Sequence, residues 1–340
     1  MSSLPPDAAQ YLDHWIGSGW TATPLAGDAS VRAYYRVTGR DGQSYMLAYY
    51  PAEVRAQLGR FLTAYETVSP HGRVPDVLHH AEVAVLQHDV GDRTLFAVLH
   101  EDRDEGLRLY RAAIDLLAGF QQAPDRGINA AFTADFFYGE LEMAREFYVE
   151  QMMQADVTRL EPVLKKLCEK VASHPYVLCH RDFHGQNLHI FNDTLYLIDY
   201  QDLRMGPDMY DLASLLRDRG VARIIGDEAE LELLEHYVRV TGVQGDVRRR
   251  YFETLLQRSI KILGTFTKQP IVRGRMHYLD FIPATMDSIR RCIDELPEFE
   301  LLREMFPLDF DLERARERAR ELNSGAAGSQ PARSSWNGQT

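Results

Sequence analysis

Cysteine is scarce in this chain of 340 residues. Cys168, Cys179 and Cys292 are odd in number and widely spaced, which leaves no CxxC pair and no disulfide framework, so a reducing compartment is expected. Long apolar runs are missing too. Nowhere do about 18 uncharged apolar residues follow one another, as a membrane-spanning helix requires. The stretch from Met1 to Trp15 lacks a basic start leading into an apolar core. Nor is there an excess of positive charge: the formal net charge is -12, whereas nucleic acids and anionic lipids are bound through clustered cations that neutralise phosphate. These absences predict a cytoplasmic protein without nucleic-acid or membrane partners and leave small neutral or cationic substrates open; a monomer is expected.

What is present is an ordinary globular composition, 45% hydrophobic, long enough for two lobes. A short amphipathic helix is predicted from Ala8 to Gly17. From Trp20 to Tyr50 the pattern is strand-like, with turn signals at Gly27-Asp28 and Gly39 to Gly42. Its period of two puts Val31, Ala33, Tyr35 and Val37 on a packing face and Arg32, Tyr34 and Arg36 on a polar one. A helix from Ala52 to Val68 and strands at Val77 to His79 and Val83 to Gln87 complete a small sheet lobe. From Thr94 the periodicity turns helical, over Leu95 to Gln121, Thr133 to Met153, Val157 to Ala172, Glu228 to Thr241, Val247 to Thr267 and His277 to Leu296. The predicted organisation is an α+β, two-lobed chain: lobe 1–87, connection 88–94, helical lobe 95–310, and a charged helix end with a polar, disordered tail over 311–340.

The chemistry concentrates in 177–202, where two short apolar strands bracket His180-Arg181-Asp182-Phe183-His184-Gly185-Gln186-Asn187 and the second ends in Asp199. Asp182 supplies a carboxylate for a substrate hydroxyl, with His180 beside it, and Asn187 and Asp199 supply oxygen ligands for a hard cation. Phosphoryl transfer needs such a set, because it depends mostly on positioning and on neutralising charge at the transferred group. A polar surface turn that caps local backbone is the bland alternative. A metal site built from His180, His184 and His189 is weaker, since the intervening Phe, Gly and Asn favour a loop. Trp15, Trp20, Phe136, Phe137, Phe147 and Tyr148 are read first as packing residues, and Arg314 to Arg320 as an exposed helix.

The spacing from Asp182 to Asn187 and on to Asp199 resembles the catalytic loop and metal aspartate of the protein-kinase-like superfamily. With Gly206-Pro207-x2-Tyr210-Asp211-Leu212-Ala213, it resembles the aminoglycoside and choline kinase branch. Together with Gly27 to Arg36, Phe137 to Val149 and Leu256 to Gly264, it is similar to bacterial anomeric N-acetylmuramate/N-acetylglucosamine kinases, from about Trp20 to Pro307. The resemblance implies a bilobal kinase fold, ATP and Mg2+ as cofactors, and transfer to the anomeric hydroxyl of an amino sugar. Such a hydroxyl is acidic enough for a carboxylate base. It also implies that Asp211 supports the catalytic loop, that Gly27, Asp28, Ala29 and Ser30 form the nucleotide-covering loop, and that Gln87, His88, Asp89 and Val90 line the nucleotide site. His184, Gln201 and Asp202 are candidate substrate contacts. Two departures stand out. His184-Gly185 looks more like the broader sugar, choline and aminoglycoside kinases. No lysine precedes Lys165, so the lysine that usually meets ATP phosphates from the third strand is missing, Ala48 takes its place, and Arg32 is the expected substitute. Kinases of other hydroxylated metabolites or of aminoglycosides, and a nucleotide-binding pseudokinase scaffold, are the competing readings.

Overall fold

The computed structural model describes residues 4–25 and 32–326. The tail from 327 and the loop Gly27 to Ser30, with Val31, lie outside these residues.

The first lobe is a five-stranded antiparallel sheet, in the order β1-β2-β3-β5-β4, built from β1 (Thr21–Leu25), β2 (Ala33–Thr38), β3 (Ser44–Tyr49), β4 (Val77–Ala81) and β5 (Ala84–His88). Helix α1 (Pro6–Ile16) has proline in its first turn, where an amide N–H would be unsatisfied anyway, and lays Ala8, Tyr11 and Leu12 on the sheet. The predicted packing face is the one it covers: Tyr35, Val37, Leu47 and Leu86 are buried against it. The opposite face is less polar than the alternation suggests. Ala48 and Val85 there belong to the main core together with Leu58 and Phe61 of α2 (Ala56–Val68), because the second lobe closes over that side.

Six residues after β5 the chain turns helical. A single helix expected from Leu95 to Gln121 is two, α3 (Leu95–Glu101) and α4 (Arg103–Phe120). Asp102 is extended, and its carboxylate accepts the N–H groups of Asp104 and Glu105, capping a new helix. The next predicted helix is also interrupted: α5 (Ala134–Met143) runs into a π-helical turn, Ala144–Met152. Across the interface, Gly264 comes so near that a Cβ there would sit 2.5 Å from Ala144 N.

Helix α6 (Glu161–Ala172) follows, then two small hairpin-like pairs, β6 (Tyr176–Cys179) with β9 (Arg204–Pro207) and β7 (Leu188–Phe191) with β8 (Thr194–Leu197). The rest is helical: α7 (Tyr210–Arg217), α8 (Ala222–Ile225), α9 (Asp227–Thr241), α10 (Val247–Arg273), α11 (Ile282–Glu295), α12 (Leu301–Met305) and α13 (Leu312–Ala326). At the centre is α10, extending past the predicted end at Thr267 and through Pro270 to a left-handed Gly274 cap. The charged helix α13 is not simply solvated. Ala315 and Ala319 are buried, Arg316 pairs with Asp280, and Arg318 donates to the Gln151 carbonyl.

Candidate active site

Strands β6 and β9 pair with Cys179 opposite Arg204, and α7 follows almost at once, so its first turn lies beneath the loop that leaves β6. Asp211 is fully buried there. Its Oδ2 accepts the His180 N–H at 2.6 Å and its Oδ1 the Arg181 N–H at 2.9 Å. Two backbone donors on one carboxylate fix the entry to the loop, including the left-handed conformation of Arg181 (φ 79), a non-glycine residue. Burial pushes the Asp211 carboxyl up, against the opposing pull of His180 and Arg258.

His180 is 1% exposed, and both of its ring nitrogens are engaged. Nδ1 accepts from Asp182 N–H at 3.3 Å, which leaves Nε2 to donate to Ile198 O at 3.0 Å. Sequence grouped His180 with Asp182 as catalytic; the structure makes it a buried strut, out of reach of any substrate, tying the loop to the residue before Asp199.

Asn187 donates its Nδ2 to Asp182 O at 2.9 Å and accepts on its own backbone carbonyl from Ile198 N–H at 3.0 Å. Because Leu188 pairs with Leu197, Asn187 and Asp199 flank the same end of the β7–β8 hairpin. Asp199 is exposed and left-handed (φ 64), and its Oδ1 accepts from Gln201 Nε2 at 2.8 Å. Gln201, a candidate substrate contact from sequence, is thus buried and occupied with aiming Asp199. Among the described residues no three His, Cys, Asp or Glu side chains form a ready-made metal cage. One carboxylate and one amide oxygen still suit Mg2+, which takes few protein ligands when substrate phosphates complete its shell.

Asp182 opens to solvent at the mouth of this site. Desolvation by the surrounding protein raises its pKa, but Lys261, His184, His180 and Arg181 outweigh that, and the net shift is downward. At neutral pH it is therefore a carboxylate, the form that can accept a proton. Lys261 comes from α10 and lies 3.0 Å from Glu140 Oε1 of α5 and 3.1 Å from the Tyr210 hydroxyl. His184 is buried, its Nδ1 has no partner, and burial lowers its pKa, so it is neutral. Gly185 is required at its position: its carbonyl accepts Phe96 N–H at 3.0 Å, and a Cβ would stand 2.9 Å from that nitrogen. Asp202 is partly exposed on the far side of Gln201.

From the sheet lobe, Arg32 places its guanidinium carbon 5.8 Å from the centre of the Tyr34 ring and 6.0 Å from that of Tyr50, and its charge is felt by Asp199. The third-strand position opposite Tyr34 is Ala48, 1% exposed. Arg36 on the same strand is committed elsewhere. It grips Asp89 through Nε (2.7 Å) and Asp92 through Nη1 (2.6 Å), while Asp89 also accepts Ser44 Oγ at 2.5 Å and Gly91 N–H at 3.0 Å. The Asp89 carboxylate, placed at the nucleotide by sequence, is saturated within the connection between lobes. Gln87 is buried against the Tyr200 hydroxyl, His88 packs edge-on to Phe191, and Val90 is buried. On its other side the connection is held to β7, where His189 Nδ1 donates to Gly91 O at 2.7 Å. Among the described residues the histidines of the weaker metal reading form no metal site: His180 is tied to Ile198 and His189 to Gly91.

Sequence reasoning missed the basic side chains around Asp182, namely Arg181, Arg258 and Lys261, and Arg204 beside Arg181. The only signal of the first three was membership of segments that resemble one subfamily, which says nothing of what they face, and Arg204 had none.

The family model of the phosphotransferase enzyme family matches residues 21–252, a span that contains the loop, the hairpin and Asp211. The chain belongs to that family. An N-acetylmuramate/N-acetylglucosamine kinase of Neisseria meningitidis is 27% identical over 286 residues, 79% of this chain and 84% of the relative. Among solved structures, a choline/ethanolamine kinase family protein from Mesorhizobium loti superposes with a TM-score of 0.58 at 15% identity, covering 92% of this chain and 99% of that one. An ADP-bound aminoglycoside phosphotransferase of the 2''-Ib type gives 0.58 at 14% identity, covering 85% and 99%. At such identities the structures speak for the fold, and it is the expected one: α+β, bilobal, protein-kinase-like. The phosphotransferase is thus a small-molecule kinase by family, and ATP use accords with it.

Proposed function

We infer that this phosphotransferase moves the γ-phosphoryl group of ATP to the anomeric hydroxyl of an amino sugar of the N-acetylglucosamine or N-acetylmuramate type. The observation that carries this reading is the convergence of Asp182, Asn187 and Asp199 at one end of a hairpin, over a loop anchored by Asp211. The kinase named for both sugars, similar over most of the chain, supports the choice of acceptor.

In this mechanism Asp182 accepts the proton of the sugar hydroxyl as that oxygen bonds to the γ-phosphorus and the bond from phosphorus to the ADP oxygen breaks. Asn187 and Asp199 would hold Mg2+, which supplies charge neutralisation at the phosphates. Arg32 meets phosphate oxygens in place of the absent lysine, assisted by the loop from Gly27 to Ser30. The connection at Gln87 to Val90 borders the base through its backbone, Asp89 serving as an internal anchor. His184 and Asp202 remain as flanks of the acceptor. A polycationic aminoglycoside is disfavoured, because Arg181, Arg258 and Lys261 lie around Asp182, with Arg204 next to Arg181. The setting we propose is the cytoplasm, with a monomer acting on a diffusible substrate; the acidic net charge and the three buried, unpaired cysteines support it.

Coupling ADP release to an optical readout tests this directly. Turnover is expected with N-acetylmuramate or N-acetylglucosamine plus ATP and Mg2+, and Asp182→Asn should reduce it by about 10²–10⁴-fold while ATP binding persists. Near-full activity of that variant would remove Asp182 as the base. ATP binding with no transfer to any sugar would favour a scaffold.

A further inference from the structure

Arg181, next to the base in sequence, and Arg204, close to Arg181, are two cationic side chains that no carboxylate grips directly among the described residues. Arg204 is 5% exposed, and its guanidinium carbon lies 4.2 Å above the Phe136 ring and 5.0 Å above that of Phe132. Its Nε is sealed from solvent with no hydrogen-bond partner, and the same is true of Arg181 Nε. Among the described residues neither guanidinium donates a hydrogen bond or closes an ion pair. They are close enough to repel: burial first and Arg181 second push the pKa of Arg204 down, and Glu140, Tyr210 and Asp202 only partly offset them. Glu140 is itself engaged by Lys261 through Oε1 and leaves Oε2 buried and unpartnered.

Burying the Arg204 guanidinium on an aromatic shelf close to a second arginine, with its Nε unpartnered, is unfavourable unless something else recovers the interaction. A planar oxyanion does so, since a guanidinium fork matches a carboxylate through two parallel hydrogen bonds. Arg181 is the residue before the base, and Arg204 lies across the β6–β9 pair from Cys179, so an anion held by both belongs to the molecule presented to Asp182.

We propose that Arg181 and Arg204 form a carboxylate subsite for the acceptor, making the protein selective for an acid-bearing amino sugar over its neutral counterpart. This rests on the acceptor class inferred above. Arg204 is the specificity-determining member, because its shelf of Phe132 and Phe136 fixes the guanidinium plane, while Arg181 also carries the loop backbone.

The test compares N-acetylmuramate, which carries a carboxylate on its lactyl arm, with neutral N-acetylglucosamine. Arg204→Met should raise KM for the former by about 10- to 100-fold, the worth of a charge-assisted contact. It should leave kcat/KM for the latter and KM for ATP within about twofold, and Arg204→Lys should recover only part of the loss. Equal losses on both sugars with an unchanged thermal midpoint would overturn the subsite, as would a rise in the KM for ATP, which would assign Arg204 to the nucleotide phosphates. A second readout does not depend on sugar phosphorylation. In the wild-type protein, millimolar D-lactate should slow butanedione modification of Arg204, followed by mass spectrometry, whereas glycerol should not. Protection without turnover on either sugar would sink the amino-sugar reading and keep the anion subsite; turnover without protection or discrimination would do the reverse.

Discussion

At the scale of single residues, what decides the role of each charged group is whether the protein already satisfies it. Arg32, just before β2, and Arg36 within it read alike in sequence, and in the structure Arg36 is closed by two aspartates. It holds both carboxyls below the usual range: at Asp89 against the opposing effect of burial, at Asp92 as the largest influence. For carboxylates depressed in the folded state, the stability they contribute is present above the unfolded value of about 3.9 and is lost as pH falls through the folded one. Arg36→Ala should therefore cost about 1–3 kcal/mol at pH 7, mostly from leaving Asp89 buried without its cation, since Asp92 is 75% exposed and screened. The deficit against wild type should shrink below about pH 3.9, where the wild type loses the same contribution. Urea titrations at pH 7 and pH 3 measure both. A deficit that does not depend on pH would mean that Arg36 acts through packing alone. Asp182, Asn187, Asp199 and Asp211 were legible in sequence because loop chemistry fixes their spacing over short separations. Arg36 with Asp89, and Lys261 with Glu140, join residues 53 and 121 positions apart, and nothing local marks them as pairs.

At the scale of elements, periodicity marked the long helices and the strands of the sheet lobe, and it missed the short β9, α8 and α12. The split at Asp102 had a local signal in its acidic cap. The π-helical turn had none; where it begins, the backbone of α10 at Gly264 comes close to the Met143–Ala144 peptide. That contact gives a prediction. In Gly264→Ala the methyl group would stand 2.5 Å from Ala144 N and 2.6 Å from Met143 C, both backbone atoms that cannot rotate away. Relief requires the helices to separate, at a cost of about 1–3 kcal/mol by overpacking, although alanine is the better helix former. A thermal melt should show a lower midpoint. An equal or higher midpoint would mean that the π turn relaxes freely into an α-helix and that the glycine is not needed for close packing. Because α10 also carries Lys261 toward Asp182, the same variant should lose turnover at temperatures where it is still folded.

At the scale of the whole molecule, the two lobes meet through few cationic groups, and this makes the missing lysine consequential. A chain with net charge -12 must gather ATP, itself an anion, and its sheet lobe contains no lysine at all. Metal held by Asn187 and Asp199, as proposed above, would neutralise the phosphates from the helical lobe only. Closing the sheet lobe over them needs a cation on that side, and with Arg36 locked into the connection, Arg32 stands between the nucleotide-loop strand and Asp199. Its guanidinium rests near the Tyr34 and Tyr50 rings, which help to set its aim. Arg32→Ala should weaken Mg-ATP binding, measured by calorimetry, by about 1.5–3 kcal/mol, the range for hydrogen bonds to charged groups, with a matching fall in kcat/KM. Arg60→Ala on α2 serves as the control for a general change in net charge and should have little effect, because long-range attraction between exposed charges is screened within about 8–10 Å at physiological salt. Small and equal effects at the two positions would mean that the metal alone neutralises the phosphates. A large effect at Arg32 alone would establish an arginine doing, from the neighbouring strand, what Ala48 cannot.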